Sequence, residues 1–220
     1  THVWVVDDRV GNEPVMEQFA DHNNIYVIRR HSNDHLKYLA TAHYIISNVS
    51  LPFYYCKKPG QIFVNTWHGT PIKSLGYDIP GSAATISNVL RNMLSADYMI
   101  SANPFLTEVY LDKYKLRGLY NGSIIEEGYP RNDRLLNCPK EEIKSLLLKY
   151  GIELEKDKQV ILYAPTWKGA DYNKPEVNPD DYYNFKRELE EYIDTDKYQI
   201  LLKPHQVVYK ELVKSGMFSN

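Results

Sequence analysis

The chain predicts an α/β fold built on parallel sheets. Three observations carry the expectation: apolar runs of strand length recur along the sequence, segments with helical apolar spacing separate many of them, and several runs end in polar, glycine- or proline-bearing loops. Strands are expected at Val3–Asp7, Ile25–Ile28, Tyr44–Ser47, Ile62–Asn65, Tyr98–Ser101, Ser123–Glu126, Val160–Ala164 and Gln199–Lys203. Helices are expected over Glu13–Asp21, Ser82–Leu94, Pro104–Lys113, Glu141–Tyr150, Tyr182–Tyr192 and Val207–Lys214. The segments Ala42–Asn48 and Ala96–Asn103 are alike, and they read as two similar buried strands ending at a sheet's carboxyl edge.

A boundary is expected near Gly128–Asn137, where Gly-Tyr-Pro interrupts the pattern and Pro139 with Glu141 and Glu142 opens a new helix. It divides the chain into residues 1–130 and 131–220. About six strands precede it, enough for one doubly wound sheet. Only two convincing strands follow it, so the second sheet reads as incomplete. With no initial Met and a start almost inside a strand, the chain reads as cut from something longer.

Composition narrows the function classes. The chain has 220 residues, 43% of them hydrophobic and 25% charged, with a net charge of −2. That is ordinary for a globular protein, and no basic field points to nucleic acid. Cys56 and Cys138 make no disulfide framework and lack metal-ligand spacing. No apolar run approaches the roughly 18–20 residues that span a bilayer. The Rossmann glycine fingerprint, the P-loop, His-Glu-x-x-His and Gly-x-Ser-x-Gly are all absent. His31 and His35 would share a helical face, but Asn33 and Asp34 between them read as a capping turn, and no third metal ligand is evident.

Four strand-end stretches hold the chemistry. Asn65-Thr66-Trp67-His68-Gly69-Thr70-Pro71-Ile72-Lys73 leaves a strand at the edge where open α/β sheets place ligands. His68 there is either a general base or a histidine that only hydrogen-bonds its loop. Gly69 would allow close approach or positive φ. Glu127-Gly128-Tyr129-Pro130-Arg131-Asn132-Asp133 offers Arg131 to a phosphate or to an ion pair with Asp133. Thr166 and Lys168 follow one later strand, and Lys203 and His205 follow another. Each lysine alone is commonly a solvated side chain, whereas two strand ends offering cations suit one anionic ligand.

Together, Asn65–Gly76 (NTWHGTPIKSLG), Glu127–Asp133 (EGYPRND), Tyr163–Lys168 (YAPTWK) and Leu201–His205 (LLKPH) resemble the CDP-glycerol glycerophosphotransferase family. That family comprises teichoic-acid glycerol- and ribitol-phosphate primases and polymerases, with related capsule polymerases. The resemblance implies a GT-B-like fold, two Rossmann-like domains with parallel sheets facing across a cleft. The acceptor would bind the N-terminal domain and the CDP-glycerol or CDP-ribitol donor the C-terminal one. It implies His68 as base and His205 as a second catalytic residue, with Thr166, Lys168, Lys203 and Arg131 on the donor phosphates. Trp67, Gly69, Thr70, Lys73, Glu127 and Asp133 would shape the loops or the acceptor side. No cofactor is required, and Mg²⁺ is compatible with the chemistry. The implied partners are a lipid-linked polyol-phosphate acceptor and, peripherally, the cytoplasmic face of the membrane. The chain offers no basic amphipathic helix for the latter; Lys57-Lys58 beside Phe53-Tyr54-Tyr55 reads as either a small basic-aromatic patch or an ordinary loop between strands.

The chain departs from the family pattern, which usually has arginine where Lys168 stands and often arginine where Lys203 stands. The family's later Asp-Tyr-Ser-Ser run does not occur before Asn220. A nucleotide-sugar glycosyltransferase of the same fold and a non-catalytic nucleotide- or polymer-binding domain are the alternatives.

Overall fold

The computed structural model describes residues 1–6, 17, 19–81, 83–171, 174–214 and 216. The chain divides into two compact units, Thr1–Leu136 and Asn137–Asn220. The helix expected over Glu13–Asp21 lies largely outside the described residues.

In the first unit β1 (His2–Val6) pairs in parallel with β2 (Ile25–Arg29). Next comes α1 (Asn33–Thr41), a helix not expected from the sequence, whose N-cap is Ser32, accepting from the His35 N–H at 3.2 Å. Four strands then form one parallel sheet in sequential order: β3 (Tyr44–Ser47), β4 (Ile62–Asn65), β5 (Tyr98–Ile100) and β6 (Ser123–Ile125). The crossover from β4 to β5 contains α2 (Ser87–Ser95). The crossover from β5 to β6 contains α3 (Pro104–Glu108), capped by the Asn103 side chain and running into a wider π turn over Val109–Lys113. A further helix, α4 (Pro130–Asn137), starts within the Gly-Tyr-Pro stretch that the sequence suggested as a break. Proline suits a first helical turn, where its missing N–H costs nothing, so the same residues that end β6's loop begin a helix.

The expected single sheet of about six strands is therefore two sheets, one of two strands and one of four. The division follows the packing. Phe63, Met93, Met99, Leu106, Tyr110 and Leu116 are at most 1% exposed and centre a core on β4, β5, α2 and the π turn. Trp4, Val5 and Tyr26 are about half exposed, and β1 and β2 place no residue in that core. The look-alike segments become β3 and β5, on either side of β4. Both end in the same turn: Ser47 Oγ donates to the Val49 carbonyl at 2.7 Å and Ser101 Oγ to the Asn103 carbonyl at 2.8 Å. They are not equally buried, because β3 is an edge strand and Tyr44 and Ile46 are exposed.

Two polar residues tie this sheet to its surroundings. Gln61 is buried and fully used: its Nε2 donates to the Leu39 and Ala42 carbonyls, and its Oε1 accepts from the Lys58 N–H at 2.9 Å. Asp97 accepts from the Phe63 N–H at 2.7 Å and from Lys57 Nζ at 2.5 Å, linking β4 to the start of β5.

The second unit opens with α5 (Lys140–Lys149), preceded by Pro139 as expected. It continues through β7 (Gln159–Tyr163), a short antiparallel hairpin of β8 (Lys168–Asp171) and β9 (Lys174–Glu176), α6 (Pro179–Tyr192), β10 (Tyr198–Leu202) and α7 (Gln206–Lys214). Strands β7 and β10 pair in parallel, with Tyr163 opposite Leu202. Phe185 of α6 stacks on Tyr163, ring centroids 4.1 Å apart. Among the described residues this unit's parallel sheet has two strands. No helix among the described residues is long and apolar enough to cross a membrane.

Candidate functional site

The carboxyl edge of the four-stranded sheet gathers the loops after β3, β4, β5 and β6. The ladder between β3 and β4 runs one bond past the strands, from the Thr66 N–H to the Ser47 carbonyl at 2.9 Å. The chain then turns sharply. Trp67 takes a left-handed φ of 53°, a conformation that costs a bulky non-glycine residue roughly 1–3 kcal/mol. Its surroundings hold it there: Asn65 Oδ1 accepts the Trp67 N–H at 3.0 Å, and the buried indole packs edge-on against Tyr110 and Tyr114. Of the close approach or positive φ expected at Gly69, a positive φ is found two residues earlier instead. Gly69 has ordinary φ, and a Cβ there would meet nothing within 4 Å.

This turn presents His68 outward. Its ring stacks on the Trp67 indole with centroids 4.3 Å apart, and Nδ1 lies 2.8 Å from the Asn48 carbonyl oxygen. A carbonyl only accepts, so Nδ1 carries the hydrogen and Nε2 of the neutral ring keeps its lone pair. The exposed side chain therefore offers a base at Nε2 while its other nitrogen is held by the backbone. Asn48 was not expected from the sequence, because it acts through its backbone carbonyl and any residue there would present one. Asn65 heads the expected stretch, but its part in holding the turn was not read from it.

Two further loops support the turn. Asn103, the cap of α3, reaches Thr70 Oγ1 at 3.5 Å. Arg131 belongs to the first unit, and its guanidinium donates to the His68 carbonyl at 2.6 Å. The Arg131 guanidinium lies 5.1 Å from the centroid of the Tyr129 ring. Tyr129 is 7% exposed, and its hydroxyl is buried without a hydrogen-bond partner of good geometry, although Thr70, Tyr110 and the Gly69 N–H surround it. Burial raises its pKa above the usual tyrosine range, opposed by those neighbours and by Arg131. Lys73 and Glu127 are exposed, and Asp133 is exposed on the first turn of α4.

In the second unit the parallel pairing sets two strand ends side by side, the Lys203 N–H donating to the Tyr163 carbonyl at 2.9 Å. Thr166 follows β7 and is exposed; Lys203, also exposed, and His205 follow β10. Lys168 lies in the hairpin, opposite Glu176, not in an open loop. His205 immediately precedes α7, and its Nδ1 accepts from the Val207 N–H at 3.4 Å. In the neutral ring the hydrogen then sits on Nε2, the reverse of His68. A helix N-terminus with a lysine and an imidazole N–H beside it is a setting that favours an anion. Among the described residues no group of three or more His, Cys, Asp or Glu side chains is assembled for a metal.

Within the patch Phe53–Lys58, Phe53, Tyr54 and Lys58 are exposed, but not every member is free. Tyr55 is buried, the Tyr54 hydroxyl meets His31 Nδ1 at 3.1 Å, and Lys57 is paired with Asp97.

Parallel sheets whose carboxyl edges carry these loops make the chain a GT-B-like α/β protein. It shares that fold with the wall teichoic acid polymerase TagF, at a TM-score of 0.67 and 26% identity over 98% of this chain and 59% of that one. The chain belongs to the family described as CDP-Glycerol:Poly(glycerophosphate) glycerophosphotransferase, which residues 1–219 match. A teichoic acid poly(glycerol phosphate) polymerase of Bacillus spizizenii W23 is 32% identical over 96% of this chain and 52% of its own length. A protein of the same description from Bacillus subtilis 168 is 34% identical over 86% of this chain and 25% of its own length. The teichoic acid glycerol-phosphate transferase of Staphylococcus aureus NCTC 8325 is 29% identical over 94% of this chain and 52% of its own length. The chain thus spans about half the length of two of these relatives and a quarter of the third. Another solved TagF structure is a histidine variant soaked with CDPG.

Proposed function

We propose that the chain is the part of a CDP-glycerol-dependent transferase that contains the base and contacts the donor phosphates. An acceptor hydroxyl attacks the donor phosphorus that bears the glycerol. The new P–O bond forms as the bond to the bridging oxygen breaks, and CMP leaves. His68 Nε2 takes the hydroxyl proton, since a neutral alcohol is a poor nucleophile until that proton is removed. CMP leaves as a stable anion and needs charge neutralisation more than a proton. Lys203, Thr166, Lys168 and the His205 N–H supply it from the second unit. The acceptor is a polyol-phosphate polymer, lipid-linked at the cytoplasmic face of the membrane, with which the protein associates peripherally. The first unit serves the acceptor and the second the donor. CDP-ribitol is the related donor on which the same groups would act.

The observation that carries this reading is the 2.8 Å contact between His68 Nδ1 and the Asn48 carbonyl, which fixes the basic nitrogen on the outward side of the ring. The similarity to polymerases that act on glycerol phosphate supports the choice of donor. The test is CMP release from CDP-glycerol with a poly(glycerol phosphate) acceptor, wild type against His68→Ala in the full-length protein. The variant should lose transfer, while donor affinity changes by less than about tenfold, ~1.4 kcal/mol. Transfer persisting near the wild-type rate would remove His68 as the base. Turnover of a UDP-sugar in place of CDP-glycerol would replace the whole reading with a glycosyltransferase.

A further inference from the structure

We infer that Arg131 and Tyr129 are positioning residues that hold the His68 base by its backbone. The inference rests on the role proposed for His68 but not on the identity of the donor. The Trp67–His68 turn is strained at Trp67, and His68 itself is exposed, so what holds its ring matters to the base. Three contacts do so from within. Trp67 lies against the ring's face, Asn48 accepts its Nδ1–H, and Arg131 binds the His68 carbonyl at 2.6 Å. The third is a charge-assisted bond from the first turn of α4, and it fixes the residue's backbone where the first two fix only its side chain.

Arg131 is in turn aimed from below. Its guanidinium rests over the Tyr129 ring at 5.1 Å, and Tyr129 is buried beneath Gly69 and Thr70. The hydroxyl faces Thr70, Tyr110 and the Gly69 N–H, and what the side chain offers Arg131 is its ring: a rigid face under a planar cation. Segment 129–131, where the loop after β6 enters α4, therefore braces the β4 loop. Removing the brace lets the strained turn relax, lengthens the bond from Nδ1 to Asn48, and frees the imidazole to exchange tautomers. The basic lone pair is then no longer confined to Nε2.

The experiment joins a spectroscopic readout to a kinetic one. Ring ¹⁵N shifts of His68, assigned with His68→Asn, report the tautomer in this chain without any substrate. Wild type should show a hydrogen-bearing Nδ1. Arg131→Ala should move toward a mixture of tautomers, and kcat should fall about 10- to 100-fold with KM for CDP-glycerol within about threefold. Arg131→Lys, which keeps the charge without the planar fork, should recover part of both. Tyr129→Phe keeps the ring and should behave as wild type, whereas Tyr129→Leu should follow Arg131→Ala. Circular dichroism melts confirm that each variant is folded.

An unchanged tautomer in Arg131→Ala overturns the inference. If kcat falls all the same, Arg131 touches substrate directly. A changed tautomer with unchanged kcat overturns it as well, and Phe and Leu at 129 behaving alike removes Tyr129. If wild type transfers nothing, the proposed reaction fails on its own, and the ring spectrum alone then decides whether the brace exists.

Discussion

Two histidines in this chain differ by the partner of a single nitrogen. His68 gives its Nδ1–H to a carbonyl, so its free form is a base at Nε2. His205 accepts a backbone N–H at Nδ1, so its neutral form is a donor at Nε2. The sequence pointed to both as strand-end residues, because each follows an apolar run and a loop rich in conformationally special residues. It could not assign their tautomers, which are set by Asn48, twenty positions before His68, and by the first turn of α7. Arg131 shows the same limit. Either of its expected partners was local or external, whereas its observed one is a backbone carbonyl 63 positions away. On the donor side the prediction follows from charge. Lys203 stands at the end of β10 beside the N-terminus of α7, and Lys203→Ala should weaken CDP-glycerol binding roughly tenfold, ~1.4 kcal/mol. Lys203→Arg should retain it. Calorimetric titration showing equal affinity for wild type and Lys203→Ala would move the donor phosphates elsewhere.

At the scale of elements, the strands expected from apolar runs lie within a residue or so of β1 to β7 and β10, because a buried parallel strand needs a continuous apolar stretch and little else supplies one. The hairpin β8–β9 escaped notice for the complementary reason: Lys-Gly-Ala-Asp and Lys-Pro-Glu have no apolar alternation to read. Helix α1 escaped because its buried position is a histidine, His35, in a polar segment. What joins the strands also lies outside periodicity, and Asp97 is the clearest case. Burial pushes its carboxyl pKa up, but the bonds from Lys57 and the Phe63 N–H outweigh burial and hold it below the usual aspartate range. A carboxylate with a depressed folded pKa stabilises the fold above its unfolded value, and the contribution is lost as pH falls through the folded value. Asp97→Asn keeps an acceptor for Phe63 but removes the charge opposite Lys57. It should cost on the order of 1 kcal/mol near pH 6, where the partly exposed pair is screened by solvent, and less in acid below the usual aspartate range, by urea denaturation. An equal cost at both pH values would show that the charge contributes nothing.

At the scale of the molecule, burial is unevenly shared, and local stability should follow it. The core from Ile45 to Tyr129 lies wholly within the first unit, and its fully buried side chains come from β4, β5, α2, α3, the π turn and Leu116 just beyond it. In the second unit the buried hydrophobic residues, among those described, are Val208 and Leu212 of α7. Helix α5 has no buried residue, and Leu146, Leu148 and Tyr150 at its C-terminal end are more than half exposed. Backbone amides exchange with solvent through local opening, whose free energy scales with the apolar contacts that opening must break. Opening β4 exposes Phe63 and breaks its ladders to both β3 and β5, whereas opening α5 exposes little that is not already wet. Hydrogen–deuterium exchange should therefore be slowest in peptides covering 62–65 and 98–100. Those covering 140–149 should exchange at least roughly tenfold faster, a difference of ~1.4 kcal/mol in opening free energy. Peptides over α7 should fall between, held by Val208 and Leu212. Equal protection across 140–149 and 62–65 would mean that contacts other than those of the described core stabilise α5, and the link drawn between burial and local stability would not hold for this chain.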